Sequence, residues 1–184
     1  MQTKKTALAM LRVIGTNVRL FCGKILHGSK LAYSPLTCLA FSDSVSLSNS
    51  ASINFGKRLR TRGGCSFNVQ ESGRLVLGKD VFLNRGCLFN CHSSILVGDG
   101  CEFGPNVTIY DHDHVFRGGV LKDGKFKYGA VKIGKNCWIG AGTVILCGTV
   151  LGDNCVVGAG SVVKGEFPAG SLVLQKRQTD VRMA

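Results

Sequence analysis

The chain lacks several features that would restrict its function at once. Among its 184 residues are nine cysteines but no C-x-x-C pair, the spacing typical of zinc and redox motifs. No apolar run approaches the length needed to cross a membrane. No acid precedes Asp43, and the formal net charge is +12. Such a charge is typical of nucleic-acid-binding proteins, but the sequence contains no recognisable nucleic-acid-binding module. A surface that binds a phosphate-rich cofactor or an acidic partner explains the charge as well as nucleic-acid binding does.

The N-terminal stretch 1–30 is both basic and apolar. Its apolar residues have a roughly helical spacing that Gly15 and Gly23 interrupt. We expect residues 1–40 to form a helical segment that caps the open end of the fold. Peripheral contact of residues 1–30 with an anionic membrane is the alternative. A secretory signal fits poorly because Arg12 and Arg19 lie within its apolar region.

A six-residue repeat organises the C-terminal half of the chain between Val131 and Gly165. This interval fits neither a helix nor a simple half-buried strand. One strand with its turn is too small to bury its own apolar side, so successive units must stack into a solenoid with an aliphatic interior. Glycine after an aliphatic position suits a tight corner. The aliphatic positions are Ile133, Ile139, Ile145, Leu151, Val157 and Val163.

The same spacing extends toward the N-terminus. We therefore predict an all-β solenoid, the coil, over residues 41–168 and a tail over 169–184. Cys87, Cys137 and Cys155 fall at small interior positions, as buried hydrophobic residues of a reducing cytoplasm. The spacing stops at residues 111–130, which we expect to leave the coil as one long loop. The earlier positions are Phe41, Leu47, Ile53, Leu59, Cys65, Leu77, Leu83 and Phe89, with Glu71 as the exception in a loose turn.

Two groups of polar residues are candidates for a site. His112 and His114 open the loop, and in an extended strand their side chains point to the same side. They are compatible with a metal site, a general base or a polar loop. A second group is a basic run within one turn, which is either a solvated face or an anion site for an acidic saccharide. This run contains Lys57, Arg58, Arg60 and Arg62.

The repeats resemble those of the hexapeptide-repeat acyltransferases. That resemblance implies a left-handed parallel β-helix with three repeats per turn, and a homotrimer that binds acetyl-CoA in grooves between subunits. The stretch GPNVTIYDHDHVF resembles the maltose and galactoside O-acetyltransferase branch, in which a strand leads into a loop with the catalytic histidine. The resemblance places this histidine at His114, with Val115 in place of the usual proline.

The same resemblance assigns further residues. Asn84 falls where the family contacts the acceptor hydroxyl, whereas residues 90–94 lack the acid that follows it in the sugar acetyltransferases. This departure argues against maltose or a galactoside as the acceptor. Trp138, Ala141 and Ala159 fall at coenzyme A positions, and the two alanines, 18 residues apart, stack if three repeats make a turn. The basic residues available for the 3′-phosphate are Lys164, Lys176, Arg177 and Arg182.

We therefore expect a cytoplasmic, homotrimeric O-acetyltransferase that acts on a saccharide in surface-polysaccharide assembly, with His114 as general base and without metal or nucleic acid. Three alternatives stay open. The first is N-acetylation of an amino sugar. The second is a zinc hydratase of the γ-carbonic anhydrase type, for which His92, His112 and His114 are the plausible ligands. The third is a solenoid without catalytic activity that serves as a scaffold.

Overall fold

The computed structural model describes residues 2–118 and 120–176. This part of the chain contains an N-terminal helix, α1 (Gln2–His27), a 3₁₀ turn (Gly28–Lys30) and a series of short strands. The strands are β1 (Leu31–Tyr33), β2 (Ser44–Leu47), β3 (Ser52–Phe55), β4 (Arg60–Thr61), β5 (Ser66–Val69), β6 (Arg74–Leu77), β7 (Phe82–Leu83), β8 (Leu88–Cys91), β9 (Ser94–Val97), β10 (Glu102–Phe103), β11 (Thr108–Tyr110), β12 (His112–Arg117), β13 (Val120–Tyr128), β14 (Val131–Ile133), β15 (Trp138–Ile139), β16 (Val144–Ile145), β17 (Val150–Leu151), β18 (Val156–Val157), β19 (Val162–Val163), β20 (Glu166–Phe167) and β21 (Leu172–Val173).

All strands except β12 and β13 stack into three parallel sheets, which the chain visits in rotation. Sheet A contains β1, β3, β6, β9, β14, β17 and β20; sheet B contains β4, β7, β10, β15, β18 and β21; sheet C contains β2, β5, β8, β11, β16 and β19. The predicted parallel β-helix of hexapeptide repeats with an N-terminal helix is therefore confirmed, with about six turns. Its strands begin at Leu31 and end at Val173, beyond the expected range of 41–168 at both ends.

The turns are wider in the N-terminal half than in the C-terminal half. Ile53 pairs with Leu75, 22 residues later, whereas Val150 pairs with Lys132, 18 residues earlier. The wider turns enclose a row of buried aromatic rings whose centroids lie 5.1, 5.5 and 5.9 Å apart. Such ring pairs stabilise the fold by more than the burial of their apolar area alone. The row consists of Phe55, Phe67, Phe89 and Phe103.

Phe41 does not occupy the interior position that the repeat predicts. Its side chain is 71% exposed, and Leu39 fills the interior of the first turn instead. The corner that follows is closed by the buried carboxylate of Asp43, which accepts hydrogen bonds from Ala40 N at 2.7 Å and Cys65 N at 2.9 Å. The Phe41 ring lies against α1 at Gly15, where an added Cβ would come within 2.6 Å of it.

One face of α1 covers the first turn of the coil. Leu20 joins the buried core, and the Thr16 hydroxyl accepts a hydrogen bond from Leu39 N at 3.0 Å. The helix continues through Gly15 and Gly23 without interruption. Both glycines face the coil, where a larger side chain would collide with Phe41 at position 15 or with Leu31 at position 23.

The outer face of α1 is apolar and exposed. None of the helices among the described residues is long and apolar enough to span a membrane. The exposed face is compatible with the predicted contact of residues 1–30 with an anionic membrane surface, which stays a prediction. It comprises Met10, Leu11, Ile14, Val18, Phe21, Ile25 and Leu26.

Candidate functional site

The predicted loop at residues 111–130 is an antiparallel hairpin, β12–β13, which leaves the coil between β11 and β14. His114 lies in β12 and pairs with Phe126 of β13. Its imidazole is exposed, and the ring centroid lies 4.9 Å from that of Phe126. The hairpin therefore presents His114 to solvent at the corner between sheets C and A.

Two cavities meet at His114. One of about 250 Å³ lies on the sheet C side and is lined by Asn90, Tyr110, His112, Asp113, His114, Leu146 and Cys147. A second of about 450 Å³ is lined by His114, Val115, Phe116, Phe126 and Lys127. A group in either cavity can reach the imidazole of His114.

His112 occupies a different environment from His114, although both belong to β12. Its side chain is only 9% exposed, and Nδ1 lies 3.1 Å from Oδ1 of the fully buried Asp111. The Asp111 carboxylate also accepts hydrogen bonds from the backbone N–H groups of His92 and Ser93 at 2.8 and 2.7 Å. Asp111 thus joins the base of the hairpin to the preceding turn of the coil.

Glu71 and Tyr128 form a second link between the hairpin and the coil. The Tyr128 hydroxyl donates to Glu71 Oε2 at 2.6 Å, and this bond raises the pKa of Tyr128. Glu71 has a positive φ of 51°, so the residue outside the predicted repeat lies in a left-handed turn. The other oxygen of Glu71 lies 3.6 Å from His92 Nδ1, too long for a hydrogen bond.

Asn84 lies at a different corner from His114. It follows β7 at the corner between sheets B and C, and its Oδ1 accepts a hydrogen bond from Arg85 N at 2.9 Å. A four-residue strand of sheet C, about 13 Å long, separates the two corners. One chain therefore does not bring Asn84 and His114 together.

The predicted coenzyme A residues Trp138, Ala141 and Ala159 lie on or just after sheet B. Trp138 is 58% exposed on the outer face of β15, as its position in the repeat indicates. Gly160 N donates to Ala141 O at 2.7 Å, which stacks the corners of the two alanines. Ala159 is exposed, so this column has open space on its outer side.

Gly140, which precedes Ala141, is required for a reason other than a strained corner. A Cβ at Gly140 would lie 2.4 Å from Ala159 N, closer than any side chain tolerates, and φ at Gly140 is not positive. Close stacking of successive turns therefore requires this glycine, rather than strain at the tight corner that the sequence suggested.

The four predicted phosphate-binding residues are only partly described. Lys164 is exposed at the corner between sheets C and A, after β19, and Lys176 is exposed beyond β21. Arg177 and Arg182 lie outside the described residues.

The histidines proposed as zinc ligands do not converge on a common point. Among the described residues, no group of three His, Cys, Asp or Glu side chains is arranged to hold a metal ion. His92 and His112 stack face to face, while His114 packs beside Phe126 further along β12.

Comparison with known proteins agrees with this architecture. Residues 130–165 match the family described as bacterial transferase hexapeptide (six repeats). These repeats are bacterial transferase hexapeptides. The predicted resemblance to the hexapeptide-repeat family is thereby confirmed. Nodulation protein L of Rhizobium meliloti (strain 1021) is 38% identical over 108 residues, which are 59% of this chain and 59% of that protein. The chain thus spans less than two thirds of this relative.

Solved structures share the coil. AntD, an N-acyltransferase from Bacillus cereus in complex with dTDP and 3-hydroxybutyryl-CoA, is 21% identical with a TM-score of 0.63, over 82% of this chain and 80% of that chain. This likeness shows the fold. A maltose O-acetyltransferase from Clostridium difficile 630 is 30% identical with a TM-score of 0.48, over 72% of this chain and 61% of that chain.

Sequence reasoning did not assign a role in the site to Asp111, Glu71 or Tyr128, and it considered His92 only as a metal ligand. Glu71 offered a signal, because a carboxylate at an aliphatic repeat position needs a polar partner when the turn closes. The other contacts join residues about 20 positions apart, and they depend on a turn length that the hexapeptide count does not predict.

Proposed function

We propose that this chain is an acetyltransferase that moves an acetyl group from acetyl-CoA to a hydroxyl of a saccharide. The observation that carries the proposal is the exposed imidazole of His114, which lies between two cavities on the hairpin that immediately precedes the bacterial transferase repeats of residues 130–165. One ligand can approach this imidazole from each side. The imidazole is therefore suited to take a proton from the first ligand while that ligand attacks the second.

The proposed transfer is a single displacement through a tetrahedral intermediate. His114 takes the proton of the saccharide hydroxyl as its oxygen bonds to the thioester carbonyl carbon. The carbon–sulfur bond then breaks, and the thiolate of coenzyme A receives the proton from the imidazolium. The products are an acetyl ester and free coenzyme A. The oxyanion of the intermediate requires a hydrogen-bond donor, and the side-chain amide of Asn84 is our candidate.

Since Asn84 and His114 lie at opposite ends of sheet C in one chain, the proposed site forms between neighbouring chains of a homotrimer. The corner after sheet B of one chain supplies Asn84, and the hairpin of the next supplies His114. Ala141 and Ala159 lie at the same kind of corner as Asn84, in later turns, and Trp138 lies on strand β15 just before this corner. The exposed Ala159 leaves room there for the pantetheine arm, and Lys164 and Lys176 supply positive charge for the phosphates. We place this reaction in the cytoplasm, in surface-polysaccharide assembly.

The test measures thiol release from acetyl-CoA with a panel of saccharides that carry hydroxyl or amino groups. Mass spectrometry of the product should show one added acetyl group, and mild alkali should remove it because an ester hydrolyses where an amide persists. His114→Ala should slow release by about 10²- to 10⁴-fold, whereas His27→Ala, a change of the same size on α1, should leave it unchanged. A product that resists alkali would assign N-acetylation instead, and no thiol release with any acceptor would reject acetyl transfer.

A further inference from the structure

A cavity of about 440 Å³ opens on the outer face of sheet B, next to α1. Four arginine side chains from three places in the chain converge on it: the helix, strand β4 with the residue after it, and the corner after β7. No acidic side chain lines it. The residues that carry the argument are Arg12, Arg60, Arg62, Arg85 and Phe82.

None of these four arginines forms an ion pair within the described residues. The carboxylates of this region pair elsewhere, Asp80 with Arg58 and Asp99 with Lys79. Glu102 neighbours Phe82 on the next strand of sheet B but does not line the cavity. Four like charges around one cavity repel one another, and an anion bound among them relieves that repulsion.

Three of the four guanidinium groups are held in place before any ligand arrives. Arg60 and Arg62 each lie 5.7 Å from the centroid of the Phe82 ring, within the range of a cation–π contact. Arg12 Nη2 donates to Thr61 O at 2.8 Å, which uses one of its five donors. Planar guanidinium groups in fixed positions match the geometry of a carboxylate or a phosphate.

The position of the cavity relates it to the acceptor rather than to coenzyme A. Phe82 and Arg85 lie on either side of Asn84 along the chain, at the corner that supplies the oxyanion donor of the proposed site, where the acceptor oxygen bonds to the thioester carbon. Ala159 follows β18, three strands further along sheet B than β7, so about 14 Å of coil separates the two positions. The arginines therefore lie at the N-terminal end of the sheet, away from Lys164 and Lys176.

We propose that this cavity binds an anionic group, a carboxylate or a phosphate, on the saccharide acceptor. The inference rests on the proposed function, because it identifies the class of acceptor for the same site. The inference assigns different roles to arginines of the basic run that the sequence showed. Arg60 and Arg62 line the cavity, whereas Arg58 is paired with Asp80 outside it.

The kinetic test compares D-glucose, D-glucuronate and α-D-glucose 1-phosphate as acceptors. We expect the KM of at least one anionic sugar to be 10-fold or more below that of glucose, and to rise with ionic strength. The double variant R60Q/R62Q should raise that KM by about 10- to 100-fold at nearly unchanged kcat, as expected for lost charge-assisted hydrogen bonds. The carboxylate and phosphate arms show which anion the cavity accepts. R58Q and R74Q, each of which removes one exposed arginine outside the cavity, should behave like wild type.

A binding measurement separates this inference from the proposed function. Isothermal titration of both anionic sugars is run on wild type and R60Q/R62Q, after circular dichroism has shown equal folding. Saturable binding that the double variant loses supports the cavity even if no acetyl transfer occurs. The inference is overturned if neither anion binds, if the double variant binds them as tightly as wild type, or if its main defect is in coenzyme A affinity.

Discussion

The imidazole rings of His92 and His112 stack with their centroids 3.7 Å apart and an angle of 25° between their planes. Burial lowers the pKa of His92, and the adjacent His112 lowers it further, while the carboxylates of Glu71 and Asp111 oppose the shift. His92 Nδ1 is buried and has no hydrogen-bond partner among the described residues. The stack therefore favours a neutral His92 in the folded protein.

This stack predicts a pH dependence of stability. The pKa of His92 is lower in the folded chain than in the unfolded chain, where the pKa of histidine is about 6.5. The neutral form contributes stability that is fully present above that value and is lost as pH falls through the folded pKa. We expect the thermal midpoint to fall between pH 7.5 and 5.5, and H92Q to show a smaller fall.

Because carboxylates also titrate in this range, the informative quantity is the difference between the wild-type and H92Q profiles. H27Q, which changes a histidine on α1, serves as the matched control. Parallel profiles for wild type and H92Q would show that the stacked ring does not contribute to the pH dependence.

The two histidines of β12 should differ in their effect on turnover. H114A should lower kcat by about 10²- to 10⁴-fold with coenzyme A binding nearly intact, because it removes the proposed proton acceptor. H112A should cost less turnover and more stability, since its ring packs on His92 and lies beside the buried Asp111. Both variants are assayed with one acceptor and by thermal denaturation. A larger loss of turnover in H112A would transfer the role of base to His112.

The C-terminal half of the coil was predictable because its turns are 18 residues long, so three hexapeptides return the chain to the same sheet. Ile139 and Val157, for example, pair as the count requires. The N-terminal half was less predictable because its turns are longer and its interior is aromatic. There the count places Phe41 inside, whereas the Asp43 carboxylate closes the corner and leaves Phe41 on the helix.

The candidate site was predictable only in part, for a related reason. His114 and Asn84 were identified by resemblance, and no periodicity could show which corners they occupy. The arginine cavity combines Arg12 of α1 with Arg85 of the third turn, 73 positions apart. Only the packing of α1 on the coil brings such residues together, and composition reports no more than their charge.

Removal of the Asp43 carboxylate should destabilise the first turn. D43A leaves the buried Cys65 N–H and the Thr61 hydroxyl without their acceptor, while the Ala40 N–H keeps only its bond to Thr61 Oγ1 at 2.8 Å. Each unsatisfied buried group costs about 1–3 kcal/mol, so we expect a loss on the order of 3 kcal/mol after partial rearrangement. Chemical denaturation measures this loss. D80N, which breaks an exposed ion pair with Arg58, should change stability little, and equal losses in both variants would contradict the assignment.

A bulky residue at position 159 should block the proposed coenzyme A column. Ala159 is exposed at the corner after β18, so A159W should fold normally while its indole fills the space assigned to pantetheine. The expected result is at least a 10-fold loss of coenzyme A affinity by calorimetry. A169W places the same ring at the corner between sheets A and B and should bind normally. Unchanged affinity in a folded A159W protein would locate the cofactor elsewhere.

Because Asn84 and His114 lie apart in one chain, we predict an assembly in which each active site combines Asn84 of one chain with His114 of a neighbouring chain. Light scattering should give three times the chain mass of 19.6 kDa. H114A and N84A should each be nearly inactive as pure proteins, since one lacks the base and the other the oxyanion donor. Co-expressed in equal amounts, they should recover roughly one quarter of the wild-type sites, because mixed trimers contain interfaces with one intact residue from each chain. Mixing the purified proteins without subunit exchange supplies the control and should recover nothing. A monomer mass, or mixed trimers as inactive as the pure variants, would place the reaction within a single chain.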